Sequence, residues 1–145
     1  MLSIQSDPVY AEARKQEPPT DHLESLASFS EEMAEAGVLL VAEGFKPTAD
    51  GYRIKYSSAP PHEVVTGPFD VAKENHVCGV WLIETNTPEE ALAWAKKVPF
   101  VNDGEVVMRR VGYGHEENST FTKELKSRTD KLRAQMEKNR KAVGM

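Results

Sequence analysis

The sequence contains a single cysteine, Cys78, among 145 residues. A disulfide within the chain is therefore excluded, and a reducing compartment is expected, because structural disulfides belong to oxidising ones. The chain also lacks an apolar run long enough to cross a membrane, and its start, MLSIQSDPVY, has no cationic segment followed by an apolar one. These absences predict a cytoplasmic protein with no membrane contact.

Motifs for nucleotide, metal and nucleic-acid chemistry are missing as well. The sequence has no glycine-rich phosphate loop, no dinucleotide fingerprint and no serine nucleophile elbow. The formal net charge of −5 lacks the basic footprint that general nucleic-acid binding needs. None of the histidines has a partner at helical zinc spacing, and His76 with Cys78 offers at most two alternating ligands. We therefore expect no metal, no cofactor and no nucleic-acid partner.

What is present suits one packed domain with an appended helix. Apolar residues make up 39% and charged residues 28% of the chain, which allows a modest core. From Thr120 to Met145 there are eight Lys or Arg and three Asp or Glu, so this tail is basic whereas the rest of the chain is acidic. We expect a main domain over residues 1–113 and a mostly helical extension over 114–145, whose charge suits a contact with the acidic body or a partner subunit.

Hydrophobic periodicity and breaker residues predict the elements of that domain. A short strand over 1–6 and a loop over 7–17 precede a helix over 20–36, which Thr20 would cap and Gly37 would end. The apolar run over 38–42 is typical of a strand that is covered on both faces. The remaining expected strands are 52–56, 63–66, 78–85 and 105–111, and the remaining helices are 88–98, opened by a capping box at Thr87, and 122–142.

This order places two strand–helix–strand units around a hairpin, which predicts an α+β fold. The expected form is a ferredoxin-like sandwich, with an antiparallel sheet and helices on one face. Val80 and Leu82 alternate with Trp81 and Ile83, so both faces of one central strand are apolar and the second face needs a cover. A second copy, packed sheet to sheet as a homodimer, is the expected cover. The narrow apolar stripe of the last helix suits docking along a neighbour.

His22 and Glu43 are the candidates for acid–base chemistry. His22 lies in the first turn of a helix, where the positive end of the helix dipole favours a neutral imidazole that can act as a base. The alternative is a histidine that packs its ring and hydrogen-bonds a carbonyl. Glu43 ends a buried strand, where a carboxylate needs a partner or a solvated pocket. It is either a general acid or substrate anchor, or the partner of a nearby cation: Lys46, Arg109 or Arg110.

Three further residues are candidates for contacts with a substrate. Asp70 follows the Gly67-Pro68 corner and serves either chemistry or the capping of a short helix over 71–76. Trp81 is weighed as a ligand contact against a place in the core or an interface. Arg109 alternates with Arg110 along the last strand, so only one of the two can reach an inner pocket, and Arg109 is the candidate anion anchor.

Several segments together resemble the YCII-related family, also called DGPF-domain proteins: EEMAEAGVLLVAEGFKP, VVTGPFDVAKE, GVWLIETNTPEEALAWAKKVPF and VVMRRV. The resemblance covers nearly the whole chain, and the tail FTKELKSRTDKLRAQMEK is similar to that of a longer DGPF subgroup. It implies a dimeric α/β-barrel built from ferredoxin-like halves. It also implies cofactor-free acid–base chemistry on small organic molecules, including elimination of a leaving group from a ring, through a histidine–carboxylate pair.

The same resemblance implies roles for particular residues. His22 stands where the family has a histidine before a leucine, and Arg109 stands where it has an arginine in its last strand. Glu43 with Gly44 matches the family's Glu-Gly pair, and Glu35 falls near a helix-borne aspartate of the family.

The name-giving motif departs from the family pattern. Thr66 stands where the family has the aspartate of Asp-Gly-Pro-Phe, and Val71 stands where it has a second acid, while Asp70 lies one position earlier. Gln5 occupies a position that is often lysine. We therefore expect the VVTGPFDVAKE stretch to act chiefly as a structural turn.

The sequence thus predicts a homodimer whose cleft, between the first helix and the sheet, binds a small organic molecule. His22 would be the base and Glu43 the acid or orienting carboxylate in an elimination, isomerisation or cyclisation. Arg109, Trp81 and Asp70 would contact the substrate. The alternative functions are a non-catalytic ligand-binding or regulatory module and a structural partner that docks through its basic tail.

Overall fold

The computed structural model describes residues 1–5, 18–70, 73, 77–100, 105–112 and 119–144. The chain divides into two compact units, Met1–Arg110 and Val111–Met145. In chain order the first unit contains β1 (Leu2–Gln5), α1 (Thr20–Glu35), β2 (Leu39–Gly44), β3 (Tyr52–Lys55), β4 (Glu63–Thr66), β5 (Val77–Ile83), α2 (Pro88–Lys96) and β6 (Glu105–Met108); the second contains α3 (Lys123–Ala142). The loop predicted over 7–17 lies outside the described residues.

Strand pairing confirms the predicted α+β class. Four strands form one sheet in the order β2-β5-β1-β6, and every neighbouring pair is antiparallel. Strands β3 and β4 pair with each other in a separate two-stranded sheet. The larger sheet therefore interleaves two strand–helix–strand units, because β5 lies between β1 and β2 and β1 lies between β5 and β6.

Both helices of the first unit contribute to one core on one face of the sheet. Phe29 of α1 meets Trp81 of β5 edge-on, with ring centroids 5.4 Å apart, and it also lies 6.4 Å from Trp94 of α2. Met33 is fully buried, and Val38 completes the buried cluster. Edge-to-face aromatic packing of this kind adds to the free energy gained from burial alone.

Helix α1 starts and ends on local signals, one of which differs from the prediction. Thr20 is the first helical residue instead of the N-cap; Pro19 takes the cap position, and no side chain caps this end. Gly37 follows the helix with a φ of 72°, as predicted, and its N–H donates to the Ala34 carbonyl at 2.9 Å. Only glycine adopts this left-handed conformation without strain, so the helix stops there.

The predicted cap of α2 at Thr87 is confirmed, whereas the returning bond of the capping box goes to the residue before the cap. The hydroxyl of Thr87 accepts a hydrogen bond from the Glu90 N–H at 3.1 Å, and the Glu90 carboxylate accepts one from the Asn86 N–H at 3.0 Å. Pro88 occupies the first turn, where its missing N–H costs nothing. Helix α2 ends at Lys96, two residues before the predicted end.

The prediction that the run over 38–42 is covered on both faces is wrong. The strand, β2, lies at the edge of the sheet and continues through Glu43 to Gly44. Leu40 is 53% exposed, and Ala42 is exposed as well. The apolar run was a correct signal for a strand, but burial depends on the order of the strands, which is set by distant parts of the chain.

The other element bounds fall close to the predicted ones. Strand β5 covers Val77–Ile83 where 78–85 was expected, and β6 ends at Met108 instead of at residue 111. Helix α3 covers Lys123–Ala142, and its N-cap is Thr122, whose hydroxyl accepts from the Leu125 N–H at 3.2 Å. None of the helices in the described part of the chain has the length and apolar character of a membrane span.

Candidate functional site

Glu43 lies on the face of the four-stranded sheet that is opposite to α1 and α2. Its Cα partner on β5 is Val80, whereas the next residue, Trp81, packs against α1. Because successive side chains of a strand point to opposite faces, Val80 and Glu43 share the face opposite Trp81. We call this the open face. Within the described residues the Glu43 carboxylate forms no ion pair, so the predicted alternative of a bond to Lys46, Arg109 or Arg110 is not seen there.

A β-bulge in β2 determines on which face of the sheet Glu43 lies. Leu39 pairs with Ile83, but the next aligned residue is Val41, which pairs with Leu82, so the register shifts between them. Regular alternation from Leu39, which packs against the core, would place Glu43 on the helix side. The extra residue in the bulge reverses the alternation and moves Glu43 to the open face.

Half-buried apolar side chains form the floor of the open face. Val80 and Leu82 of β5 are both half-buried, and Val41 of β2 pairs with Leu82. Cys78, two residues before Val80, is a half-buried thiol with no disulfide, at the point where the register of β5 against β1 shifts. The face is therefore largely apolar, and the Glu43 carboxylate lies at its β2 border.

Arg109 lies near the opposite border of the sheet. Val106 packs against the core, so alternation along β6 directs Val107 and then Arg109 to the open face. The backbone of Arg109 is held by Met1: its N–H donates to the Met1 carbonyl, and its carbonyl accepts from the Met1 α-amino group, each at 2.8 Å. Partial burial lowers the pKa of that α-amino group.

The distance between Glu43 and Arg109 follows from the strand order. Glu43 is on β2 and Arg109 follows β6, so three strand spacings, roughly 14 Å, separate the two backbones across the sheet. The pair therefore brackets the open face. A carboxylate and a guanidinium so far apart would contact opposite ends of a bound molecule.

His22 lies on the helix side of the sheet. It occupies the first turn of α1, is half-buried, and stacks on Phe100 with ring centroids 6.5 Å apart and planes 25° apart. Phe100 itself packs against the core cluster. His22 and Glu43 are therefore separated by the sheet, and one chain does not bring the two together in one cleft.

Glu35 does not supply the missing carboxylate for His22. The two residues are near opposite ends of α1, so at 1.5 Å per residue they lie about 20 Å apart along the helix. Of the two carboxylates matched to the family pattern, neither is therefore adjacent to His22 within one chain.

Trp81 is a core residue. Only 5% of its surface is exposed, and its indole N–H donates to the Ser30 hydroxyl at 3.2 Å. That hydroxyl in turn donates to the Leu26 carbonyl at 3.0 Å. The polar atom of the indole is therefore satisfied inside the protein, and the structure leaves Trp81 almost no surface for a substrate.

The Gly67-Pro68 corner is held by the segment before β3. The Gly67 N–H donates to the Gly51 carbonyl, and the Phe69 N–H donates to the Thr48 hydroxyl, each at 3.0 Å. A Cβ on Gly67 would lie 1.8 Å from the Thr48 carbonyl oxygen, so only glycine fits. The Gly67-Pro68 peptide is cis. The stretch is thus a tightly fitted turn, as predicted.

Phe69 and Asp70 continue that turn at the surface. The Arg53 guanidinium carbon lies 4.4 Å from the centre of the Phe69 ring, so a cation covers Phe69, which is not part of the buried core cluster. Asp70 forms an exposed ion pair with Lys73 at 2.7 Å. The short helix predicted over 71–76 falls largely outside the described residues. Asp70 therefore belongs to this surface turn and its ion pair, and not to the open face.

The hairpin of β3 and β4 presents a surface that the sequence reasoning missed. Tyr52 and Tyr56 are 71% and 78% exposed, and the ring of Tyr56 lies 4.8 Å from that of His62. Ile54 and its partner Val64 are also exposed. The alternation of Tyr52, Ile54 and Tyr56 with Arg53 and Lys55 is visible in the sequence, but alternation alone does not say that the aromatic face is exposed.

Two comparisons with known proteins bear on these residues. A family model described as the YCII-related domain matches residues 6–112. A comparison with curated proteins found no match. Among the described residues, no group of three or more His, Cys, Asp or Glu side chains is placed to hold a metal ion.

Proposed function

Because the chain belongs to the YCII-related family, we propose that it is a homodimeric protein that binds a small organic molecule on the open face of its four-stranded sheet. The observation that carries this proposal is the Glu43 carboxylate, which lies without an ion pair among the described residues at the border of a half-buried apolar floor. A carboxylate in that position is available to a ligand, and the apolar floor supplies the area that small-molecule sites require.

The apolar floor of the open face is also the basis on which we propose a homodimer. Val80 and Leu82 are partly exposed apolar side chains of the inner strand β5, and a second sheet packed over them about 10 Å away would remove them from water, which leaves the β2 border with Val41 and Glu43 for the ligand. Glu43 and Arg109 lie at the borders of that face, where charges keep their contact with solvent. Such packing would complete the dimeric α/β-barrel of ferredoxin-like halves that the family resemblance implies.

The chemistry we propose for this site is cofactor-free proton transfer: elimination, isomerisation or cyclisation. Glu43 would exchange the proton, and Arg109 would hold an anionic group at the far border of the face. His22 would be the base only in a site that a second subunit completes, because the sheet separates it from Glu43 in one chain. Trp81 and Asp70 have no part in the proposal, since one fills the core and the other pairs with Lys73.

A non-catalytic ligand-binding or regulatory module is the second candidate function. It is favoured by the position of His22 and Glu43 on opposite sides of the sheet, because acid–base catalysis usually needs its two groups within reach of one substrate. We place the protein in the cytoplasm under both proposed functions, because a chain with a single cysteine forms no internal disulfide.

The test combines a panel of small organic acids and ring compounds with two variants. Ligands are identified by their thermal stabilisation of the protein, and turnover is followed by loss of substrate and by solvent deuterium entering the product. We expect Glu43→Gln to remove turnover and to weaken binding, because it deletes the charge and the proton acceptor. Glu89→Gln, an exposed glutamate of α2, is the matched control.

The outcomes separate the two functions. Turnover lost with Glu43→Gln but kept with Glu89→Gln supports the enzyme. Binding without any turnover supports the module. Ligand binding and turnover that are both unchanged in Glu43→Gln would remove the open face from the proposal, and a chain that sediments as a monomer at every concentration would remove the homodimer.

A further inference from the structure

Helix α3 carries an apolar stripe that is spaced for pairing with another helix. Leu125, Thr129, Leu132 and Met136 follow one another at intervals of four, three and four residues, the spacing of a helix–helix seam. Leu125, Leu132 and Met136 are 39%, 52% and 49% exposed. We call these four residues the α3 seam; three of them are apolar.

A basic row runs beside this seam. Lys126, Arg133 and Arg140 recur every seven residues, so they lie in one line along the same side of the seam. Two antiparallel copies of α3 would set this row against itself. Two parallel copies would set Arg128, on the other side of the seam, against Arg133. Like charges therefore oppose pairing of α3 with α3 in either direction, whereas an acidic surface on another helix would complement the basic row.

The outward side of α1 has the complementary pattern. Leu23, Ala27 and Ala34 are exposed and repeat with intervals of four and seven residues, and Leu23 is 50% exposed. Glu24 and Glu31 lie beside them, seven residues apart and both exposed. The two alanines leave room for larger side chains to enter between them. The acidic row thus has the same spacing as the basic row of α3.

We propose that α3 of one copy of this chain docks antiparallel along the outward side of α1 of a second copy. In an antiparallel helix pair, positions of the same kind meet, so the basic row faces Glu24 and Glu31 while Leu132 and Met136 pack over the alanines. The net charges of the two units are also opposite in sign: residues 1–110 contain 18 acidic and 10 basic residues, and residues 111–145 contain 5 acidic and 8 basic ones. Two symmetric copies form the contact twice.

This contact uses a surface other than the open face, so it can fail or succeed independently of the proposed ligand site. The test uses full-length chains with two sets of charge reversals. One chain carries Glu24→Lys and Glu31→Lys, and the other carries Lys126→Glu, Arg133→Glu and Arg140→Glu. All five residues are exposed, so folding should be kept, and circular dichroism checks it.

Self-association is measured by sedimentation at low salt. Each reversed chain alone is expected to associate about tenfold or more weakly than the parent, because every row then meets a row of its own sign. Mixed together, with one chain labelled with ¹⁵N, the two reversed chains should form mixed pairs in excess of the statistical half, seen by native mass spectrometry. Both α3–α1 contacts of the mixed pair are again between opposite charges.

A chain carrying Lys123→Glu, Lys131→Glu and Lys138→Glu is the matched control, since these residues change the net charge equally on the side of α3 away from the seam. Equal weakening in the control, or no excess of mixed pairs, would overturn the proposal. The proposal would also be overturned if the α3-reversed chain self-associated as the parent does but no longer bound phosphatidylserine vesicles. That result would assign the basic row to an anionic membrane. The variant Val80→Asp changes the floor of the open face and leaves the α3 seam and α1 unaltered, so it distinguishes failure of sheet-to-sheet packing from failure of this contact.

Discussion

Replacing Gly67 with alanine is expected to destabilise the hairpin of β3 and β4 severely for a change of one methyl group. The added Cβ would lie 1.8 Å from the carbonyl oxygen of Thr48 and 2.6 Å from its carbonyl carbon. Both are backbone atoms, which cannot rotate away as the tip of a side chain can. The segment Thr48–Asp50 must therefore move away from the corner by more than about 1 Å to restore an ordinary contact distance.

The size of the effect follows from what that movement breaks. Overpacking by one methyl group costs about 1–3 kcal/mol. The same movement stretches the bond from the Gly67 N–H to the Gly51 carbonyl and the bond from the Phe69 N–H to the Thr48 hydroxyl, each with a net value of about 1 kcal/mol. We expect a loss of about 3–5 kcal/mol in the free energy of unfolding of this part of the molecule, if both hydrogen bonds are lost.

Gly44 provides the matched control. It lies at the end of β2, and a Cβ there would meet nothing within 4 Å. Gly44→Ala should be neutral or stabilise by up to about 1 kcal/mol, because alanine has less conformational freedom to lose on folding. Urea unfolding gives the global difference, and hydrogen exchange of the Tyr52–Lys55 amides gives the local one. If Gly67→Ala and Gly44→Ala agree within about 0.5 kcal/mol, the proposed close approach of the two backbones is incorrect.

Three further predictions concern the core and the helix ends, each measured by urea unfolding. Met33→Ala should lose about 2–5 kcal/mol because Met33 is fully buried, whereas Leu92→Ala, at a side chain of α2 that is 44% exposed, should lose less than about 1 kcal/mol; equal losses would contradict the assigned core. Thr87→Ala should lose about 1 kcal/mol by removing the cap of α2, and no loss would mean that water replaces the hydroxyl. Trp81→Phe and Ser30→Ala should couple by about 1 kcal/mol in a double-mutant cycle, because each removes the same hydrogen bond; additive losses would show that the bond contributes nothing.

The features that the sequence predicted well are those set by neighbouring residues. Thr87, Pro88 and Glu90 specify the start of α2 by themselves, and Gly37 ends α1 because the chain there needs a positive φ. The turn at Gly67-Pro68 was predicted for the same kind of reason. Its dependence on the Thr48 carbonyl was not, since that contact joins segments nearly twenty residues apart.

The features that the sequence did not predict depend on which strands become neighbours. The run from Val38 to Ala42 has the composition of a fully covered strand, yet it lies at an edge because β5 and β1 take the central places. Trp81 shows the converse. A tryptophan on a two-faced apolar strand can belong to either face, and only the packing of Phe29 and the hydrogen bond to Ser30 assign it to the core.

The position of Glu43 depends both on its neighbours in the sequence and on strand pairing. It decides which side chains could share a site with this carboxylate. Its place in the Glu-Gly pair is a local feature, but the side of the sheet to which it belongs depends on one bulge between Leu39 and Val41. A shift of one residue exchanges the two faces of a strand. Without the bulge, Glu43 would lie on the side of His22, and the predicted cleft between α1 and the sheet would hold both groups. With the bulge, the carboxylate belongs to the apolar face that we propose a second copy covers, so its chemistry and the assembly of the protein have to be studied together.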